Sequence, residues 1–340
     1  MKVKVAISGY GTIGKRVADA IKLQPDMELV GIAKTKPDYF AFLAYKSNID
    51  VFAVDGSEKN FEDANFPYKG SLSELLSKAD IVIDTSPGGM GKNNKTLYEK
   101  QGLKMIFQGG EDADIAEVSF VAQVNYNSAL GKNVVRVVSC NTTGLARIIY
   151  PLHENFKIKE AKVILIRRAA DPKETKKGPI NCIKPDFRIP SHHAFDLKTI
   201  IPDIDIVSIA YVVPTTLMHV HTLMVKLSRN VTQDDIISIL KENPRTLVVS
   251  KSMGFSDTAQ LIEFARDLGR KRNDLYEVAV WEESIFVDGA WVYLIYAVHQ
   301  EAIVVPENID AVRSMFELKS QEESMKITDN SLGIGNIFFK

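Results

Sequence analysis

A short apolar run, Lys2 to Ser8, opens into Gly9-Tyr10-Gly11-Thr12-Ile13-Gly14, and a stripe at Ile13, Val17, Ala18 and Ile21 follows until Pro25. The run reads as a buried strand and the stripe as a helix lying on a sheet. A strand that delivers three spaced glycines into a helix leaves few folds open. The glycines let the backbone turn tightly and approach a ligand, while the helix start offers free N–H groups and its positive end to a pyrophosphate. The spacing alone recurs by chance, so its position after a strand and before a helix is what predicts a dinucleotide site.

The first half continues this alternation. Leu29 to Ala33, Ile81 to Ile83, Leu103 to Phe107 and Val134 to Val138 are apolar runs separated by helical patterns such as Leu72, Leu75 and Leu76. Strands spaced by helices predict βαβ units and a mostly parallel sheet. After Cys140 the strands lengthen and follow one another: 161–168, 205–213, 220–227, 246–250, 276–281 and 290–298. The fold class is therefore α/β, a Rossmann-type mostly parallel nucleotide domain joined to an α+β catalytic domain with a mainly antiparallel sheet. Thr232 and Ser256 or Asp257 are expected to cap two helices of the second domain. Pro306 suits the first turn of a last helix, whose face is Ile309, Val312 and Phe316. The charge run 171–177 reads as a solvated loop.

Small residues gather at the strand ends of the first half: Gly88-Gly89 after Asp84-Thr85-Ser86-Pro87, Gly109-Gly110 after Gln108, and Ser139-Cys140. Ligands of parallel sheets bind at those ends. At the end of the second strand, where a carboxylate would bond a ribose 2′-hydroxyl, the chain reads Lys34-Thr35-Lys36, so NADP is expected to be preferred and NAD usable.

Cys140 follows a strand and starts an apolar helical pattern, a position that supports negative charge and predicts a thiol ionising below its ordinary value of about 8.5. Cys182 reads instead as a buried small apolar residue. A reactive thiol beside a nicotinamide suggests covalent oxidation of an aldehyde, and this needs a base. Six histidines are candidates: His153, His192, His193, His219, His221 and His299. Spacing does not choose among them, although His219 and His221 share one strand face. Arg167 and Arg168 end a strand, and alternation lets one of them turn into a cleft, where its planar fork suits a substrate phosphate.

Forty-two basic against 43 acidic residues give no global reason to expect nucleic acid or an anionic membrane as partner. Two cysteines are too few for a disulfide framework and suit a reducing, cytoplasmic compartment. The N-terminus lacks a signal-peptide pattern, and the longest apolar run, 290–298, is far short of the about 20 residues that cross a bilayer. No metal site is expected.

The ordered series GYGTIGKRVADAI, DTSPGG, FQGG, VSCNTTGL, RRAADPKE with KKGPIN, PSHH, PTTLMHVH and YAVHQEAIVVPENIDAVRSM resembles the archaeal-type phosphorylating glyceraldehyde-3-phosphate dehydrogenases over essentially the whole chain. The resemblance implies a homotetramer that oxidises glyceraldehyde 3-phosphate with inorganic phosphate to 1,3-bisphosphoglycerate, through a cysteine thiohemiacetal and thioester. By that resemblance Cys140 is the nucleophile and His219 the base; Ser139, Asn141, His192 and His193 touch substrate, with Arg167 on its phosphate. The cofactor contacts fall on Thr12, Ile13, Gly110, Arg168 and Gln300, beside Gly9, Gly11, Gly14 and Lys34. It also implies domains at 1–139 and 140–302, with 303–340 packing back on the first. The wider bacterial and eukaryotic branch carries S-C-T-T-N with an earlier histidine, so the base assignment rests on the archaeal pattern alone. Two alternatives share parts of this reading: a cysteine-dependent semialdehyde or acyl-phosphate reductase, and a non-enzymatic NADP-sensing regulator.

Overall fold

The computed structural model describes residues 2–170, 178 and 181–335; the charge run 171–177 lies outside the described residues. The chain divides into two compact units, Met1–Ser139 with Val305–Gly333 and Cys140–Val304 with Ile334 and Gly335. The return to the first unit thus comes two residues later than expected, and the chain leaves it again after Gly333.

In the first unit β1 (Val3–Ser8), α1 (Gly14–Lys22), β2 (Met27–Lys34), α2 (Tyr39–Lys46), β3 (Val51–Ala53), α3 (Glu58–Asp63), α4 (Leu72–Leu76), β4 (Ile81–Asp84), α5 (Gly91–Lys100), β5 (Lys104–Gln108), β6 (Val118–Phe120), α6 (Ala122–Asn125) and β7 (Val134–Val137) follow in turn. Its seven strands run parallel in the order β3-β2-β1-β4-β5-β7-β6. Covered on both faces, they read as continuous apolar runs, and Val5, Ala6, Ile7, Val82 and Ile83 are wholly buried. The order reverses between β1 and β4, the place where such sheets open a crevice beyond their carboxyl ends.

The second unit holds α7 (Cys140–Phe156), β8 (Ile158–Arg168), β9 (Lys184–Pro185), α8 (His192–Lys198), β10 (Ile206–Val213), β11 (His219–Leu227), α9 (Gln233–Glu242), β12 (Thr246–Val249), α10 (Thr258–Asp267), β13 (Val278–Trp281), β14 (Phe286–Asp288) and β15 (Trp291–Val298). Thr232 and Asp257 cap α9 and α10 as expected, their side chains accepting first-turn N–H groups. The sheet is mixed, with β8–β10 and β12–β13 parallel and the other five pairings antiparallel. One face, with Val163, Leu165, Leu223 and Val225, is buried. Against that face lies α7, so close that a Cβ on Gly144 would come within 2.6 Å of Val298. Ile166, Val207, Ile295 and Phe286, on the opposite face, remain exposed.

The last helices, α11 (Val305–Met315) and α12 (Gln321–Leu332), rejoin the first unit. Every residue of α11 is buried. Its Arg313 donates two bonds of 2.8 Å to Asp26, and one of 2.7 Å each to Gln24 and Thr328.

Candidate active site

The first unit presents a phosphate cradle. Gly9 has φ +93°, and a Cβ there would meet the Thr85 carbonyl oxygen at 2.9 Å. On Gly14 a Cβ would press on Gly9 O and Thr85 Oγ1 at 2.5 Å, whereas on Gly11 it would meet nothing within 4 Å. The outer glycines are thus required by the turn and by helix-to-strand contact, and the middle one faces open space where a pyrophosphate can approach. Thr85 N–H donates to Ser8 O at 2.8 Å and its hydroxyl to Gly9 O at 3.0 Å, locking the ends of β1 and β4 together. The ends of β5 and β7 are equally close: a Cβ on Gly109 would lie 2.1 Å from Ser139 N. Thr12 and Ile13 are partly exposed at the mouth of this turn, and Gly110 is exposed with its carbonyl against Gly88. These residues fit a bound dinucleotide, and the open space over Gly11, beside a turn that Gly9 and Gly14 make possible, is the observation that says so.

Lys34 ends β2 as expected, but its ammonium donates to Asp38 Oδ2 at 2.8 Å and lies 5.3 Å from the Phe40 ring centroid. The carboxylate missing from the strand end is supplied four residues later. Asp38 is also the N-cap of α2, its Oδ1 accepting from Phe40 and Ala41 N–H. The signal was available in the sequence as an acidic residue before an apolar run.

In the second unit Cys140 is the first residue of α7, and its sulfur lies 3.6 Å from His219 Nε2. Across the ring, His219 Nδ1 accepts the Arg168 backbone N–H at 3.0 Å. A neutral imidazole has one hydrogen, so this bond assigns it to Nε2, and the ring faces the sulfur as a donor. Protonation would set a second N–H against that of Arg168; burial first, then His221 and the two arginines, hold His219 well below its ordinary value.

The thiol departs from expectation. Cys140 keeps part of its surface open, yet burial pushes it up to about 12 against the pull of Arg167, Arg168 and the Asn141 N–H. Desolvation outweighs the helix start. Cys182 is also corrected: it is exposed rather than buried.

Arg168 and Arg167 separate as alternation requires. Arg168 is buried, bonding Glu301 at 2.9 Å and the Ala170 carbonyl. Glu301 in turn meets His299 Nε2 at 3.2 Å, and His299 Nδ1 accepts the Leu275 N–H. Arg167 is partly exposed, but its Nε is buried without a partner among the described residues, as is His193 Nε2. Ser191 Oγ sits 3.1 Å from His193 Nδ1 and 2.7 Å from Ser208 Oγ, while the exposed His192 packs on the His193 ring. Asn141 bonds His221 and Thr142 bonds Asp196. Gln300 is partly exposed beyond β15. His153, with Asp203 on one nitrogen and the Ile158 N–H on the other, is a structural residue. Sequence reasoning missed Glu301, which nothing but the fold brings to Arg168. Among the described residues no cluster could hold a metal ion, and no helix is long and apolar enough to cross a membrane.

The C-terminal-domain model of glyceraldehyde 3-phosphate dehydrogenase matches residues 139–284, and the N-terminal model of dihydrodipicolinate reductase matches 3–124. The glyceraldehyde-3-phosphate dehydrogenase of Pyrococcus abyssi is 56% identical over 335 residues, 98% of this chain and 99% of that protein. That of Archaeoglobus fulgidus is 56% identical over 340 residues, 99% of this chain and all of its own length, and that of Hyperthermus butylicus is 54% identical over 98% of each.

Proposed function

The chain belongs to the glyceraldehyde-3-phosphate dehydrogenase family, and on that premise we propose that Cys140 carries the aldehyde covalently while it is oxidised. Membership makes it an oxidoreductase of glycolysis with a nicotinamide cofactor. Addition of the sulfur to the carbonyl carbon of glyceraldehyde 3-phosphate forms a C–S bond and leaves the oxygen as a hydroxyl, a thiohemiacetal. A bound nicotinamide dinucleotide would supply the acceptor for that carbon's hydride, and with the hydroxyl proton passing to His219 Nε2, in the form of the ring that carries its hydrogen on Nδ1, an acyl thioester remains. Inorganic phosphate then attacks the acyl carbon, the C–S bond breaks, the sulfur departs as thiolate and 1,3-bisphosphoglycerate is released.

His219 serves this sequence first as a donor, its Nε2–H directed at the sulfur and at the oxygen of the adduct. Acting as the base at Nε2 requires the ring to carry its hydrogen on Nδ1, which costs the bond from Arg168 N–H. Arg167 and His193, each with a buried nitrogen lacking a partner among the described residues, take the substrate phosphate, with Ser139, Asn141 and His192 as further contacts. Gly9, Gly11, Thr12, Ile13, Gly14, Gly110, Arg168 and Gln300 hold the dinucleotide. NADP is preferred and NAD usable, with Lys34 turning from Asp38 to the 2′-phosphate. The observation that carries the reading is the 3.6 Å approach of sulfur to His219 Nε2.

The exposed apolar sheet face with Ile166, Val207, Ile295 and Phe286 supports a homotetramer, since faces of this kind are covered by partners; light scattering tests it. The cytoplasm is the compartment that suits two unpaired cysteines and a glycolytic substrate. Cys140→Ser should lose nearly all turnover while keeping dinucleotide binding. With phosphate withheld, mass spectrometry of the native enzyme should find the acyl group on Cys140. Absence of that adduct overturns the mechanism, and oxidation that needs neither phosphate nor arsenate overturns the phosphorylating assignment.

A further inference from the structure

His221 has no part in the chemistry above, although it is wholly buried two residues from His219 on the same strand face. Its Nε2 lies 2.9 Å from Asn141 Oδ1, its plane is within 14° of the His219 ring, and Tyr296 packs edge-on against it at 5.0 Å. Burial and Arg167 pull its pKa down to about 3, so the ring is neutral and owns one N–H. His221 Nδ1 is buried with no partner among the described residues. If the hydrogen sat there, a buried donor would go unsatisfied; on Nε2 it is bonded, and only a lone pair is left bare, the lesser cost. The N–H therefore points at Asn141, whose Oδ1 accepts it. With the oxygen so engaged, the Asn141 amide has only its N–H edge to offer any group held on the neighbouring Cys140.

We infer that His221 is a positioning residue: it fixes the Asn141 amide so that its N–H groups, and not its oxygen, meet the oxygen of the adduct on Cys140. This rests on the reading of Asn141 as a substrate contact. A donor aimed at an oxygen that gains negative charge assists the transition state more than the ground state, so the effect falls on kcat. If the amide were free to turn, its oxygen could face the adduct instead and repel it.

The test is a double-mutant cycle of His221→Phe and Asn141→Ala, read as kcat and KM for glyceraldehyde 3-phosphate, with circular dichroism and thermal melts on each variant. His221→Phe, which keeps the ring and removes the donor, is expected to lower kcat about tenfold with KM changed less than about threefold. His221→Gln can place an N–H near the same point and should recover most of that loss. In the Asn141→Ala background His221→Phe should cost less than about twofold, because the group it positions is gone. A full second tenfold loss there, no rescue by Gln, or wild-type kcat in His221→Phe overturns the proposal. Should His221→Phe fold poorly, Asn141→Asp decides: it keeps an acceptor for His221 but has no N–H edge, so kcat should fall as far as in Asn141→Ala, and retention of kcat overturns the orientation. Wild-type activity in Asn141→Ala instead removes the substrate-contact reading beneath it.

Discussion

Lowering the pH from about 7.5 to about 5.5 should remove roughly 4 kcal/mol from the stability of the second unit. Three imidazoles carry the effect. Burial pulls His193 down to about 2 and His221 to about 3, and holds His219 well below its ordinary value. All three thus stay neutral when folded across this window, whereas in the unfolded chain each takes up a proton around its ordinary value of about 6.5. The unfolded state binds more protons below that value, so stability falls as pH falls and continues to fall until the folded values are reached. Each histidine contributes somewhat more than about 1 kcal/mol between the two pH values, and none is exposed enough for solvent to screen the effect. Trp281 and Trp291 are the chain's two tryptophans and both lie in this unit, so their fluorescence follows its unfolding in urea. Unfolding near pH 5.5 should take up about three protons. A free energy that changes by less than about 1 kcal/mol between the two pH values, or uptake below about one proton, would refute the account of these histidines as buried and neutral.

Five substitutions probe the first unit. Gly14→Ala forces a Cβ against Gly9 O and Thr85 Oγ1 at 2.5 Å and should cost about 1–3 kcal/mol by thermal melt; Gly11→Ala, which meets nothing in the protein, should leave the melt unchanged yet weaken dinucleotide binding by titration. Lys34→Ala should raise the KM for NADP about tenfold and barely move that for NAD, as expected of one lost charge-assisted bond; equal effects on both would remove Lys34 from the 2′-phosphate. Arg313→Met strips the bonds from Asp26 and Gln24 and should cost about 3–5 kcal/mol in circular-dichroism unfolding, with Asp26→Asn in the same chain adding little more.

The cradle could be read from the chain because its glycines work through backbone geometry, which follows from local spacing. α12 could not, because its buried residues are Ser324, Thr328, Asp329 and Leu332. An inward face that is mostly polar has no apolar period to detect, and it gains meaning from α11, where Asp310 accepts from Ser324 and Thr328 and Arg313 donates to Thr328. The partnership of Cys140 with His219 entered through family resemblance; nothing in a separation of 79 positions specifies 3.6 Å. The tautomer of His219 depends on the backbone of Arg168, and the state of the thiol depends on how dry its surroundings are, properties of packing that no residue spells out alone. Lys34 is legible as a position but not as a bond, because Asp38 reads as a helix cap and its pairing with Lys34 depends on the turn between β2 and α2.

The bond between Arg313 and Asp26 joins residues 287 positions apart. A chain made from its N-terminus exposes Asp26 early and Arg313 almost last, so the ribosome must complete the whole second unit before the first can close. During that interval the parallel sheet of the first unit lacks α11, and nascent chains will be most open to capture or aggregation there. Loss of even the final thirty or so residues by an early stop should spare the folding of the middle of the chain and ruin its beginning.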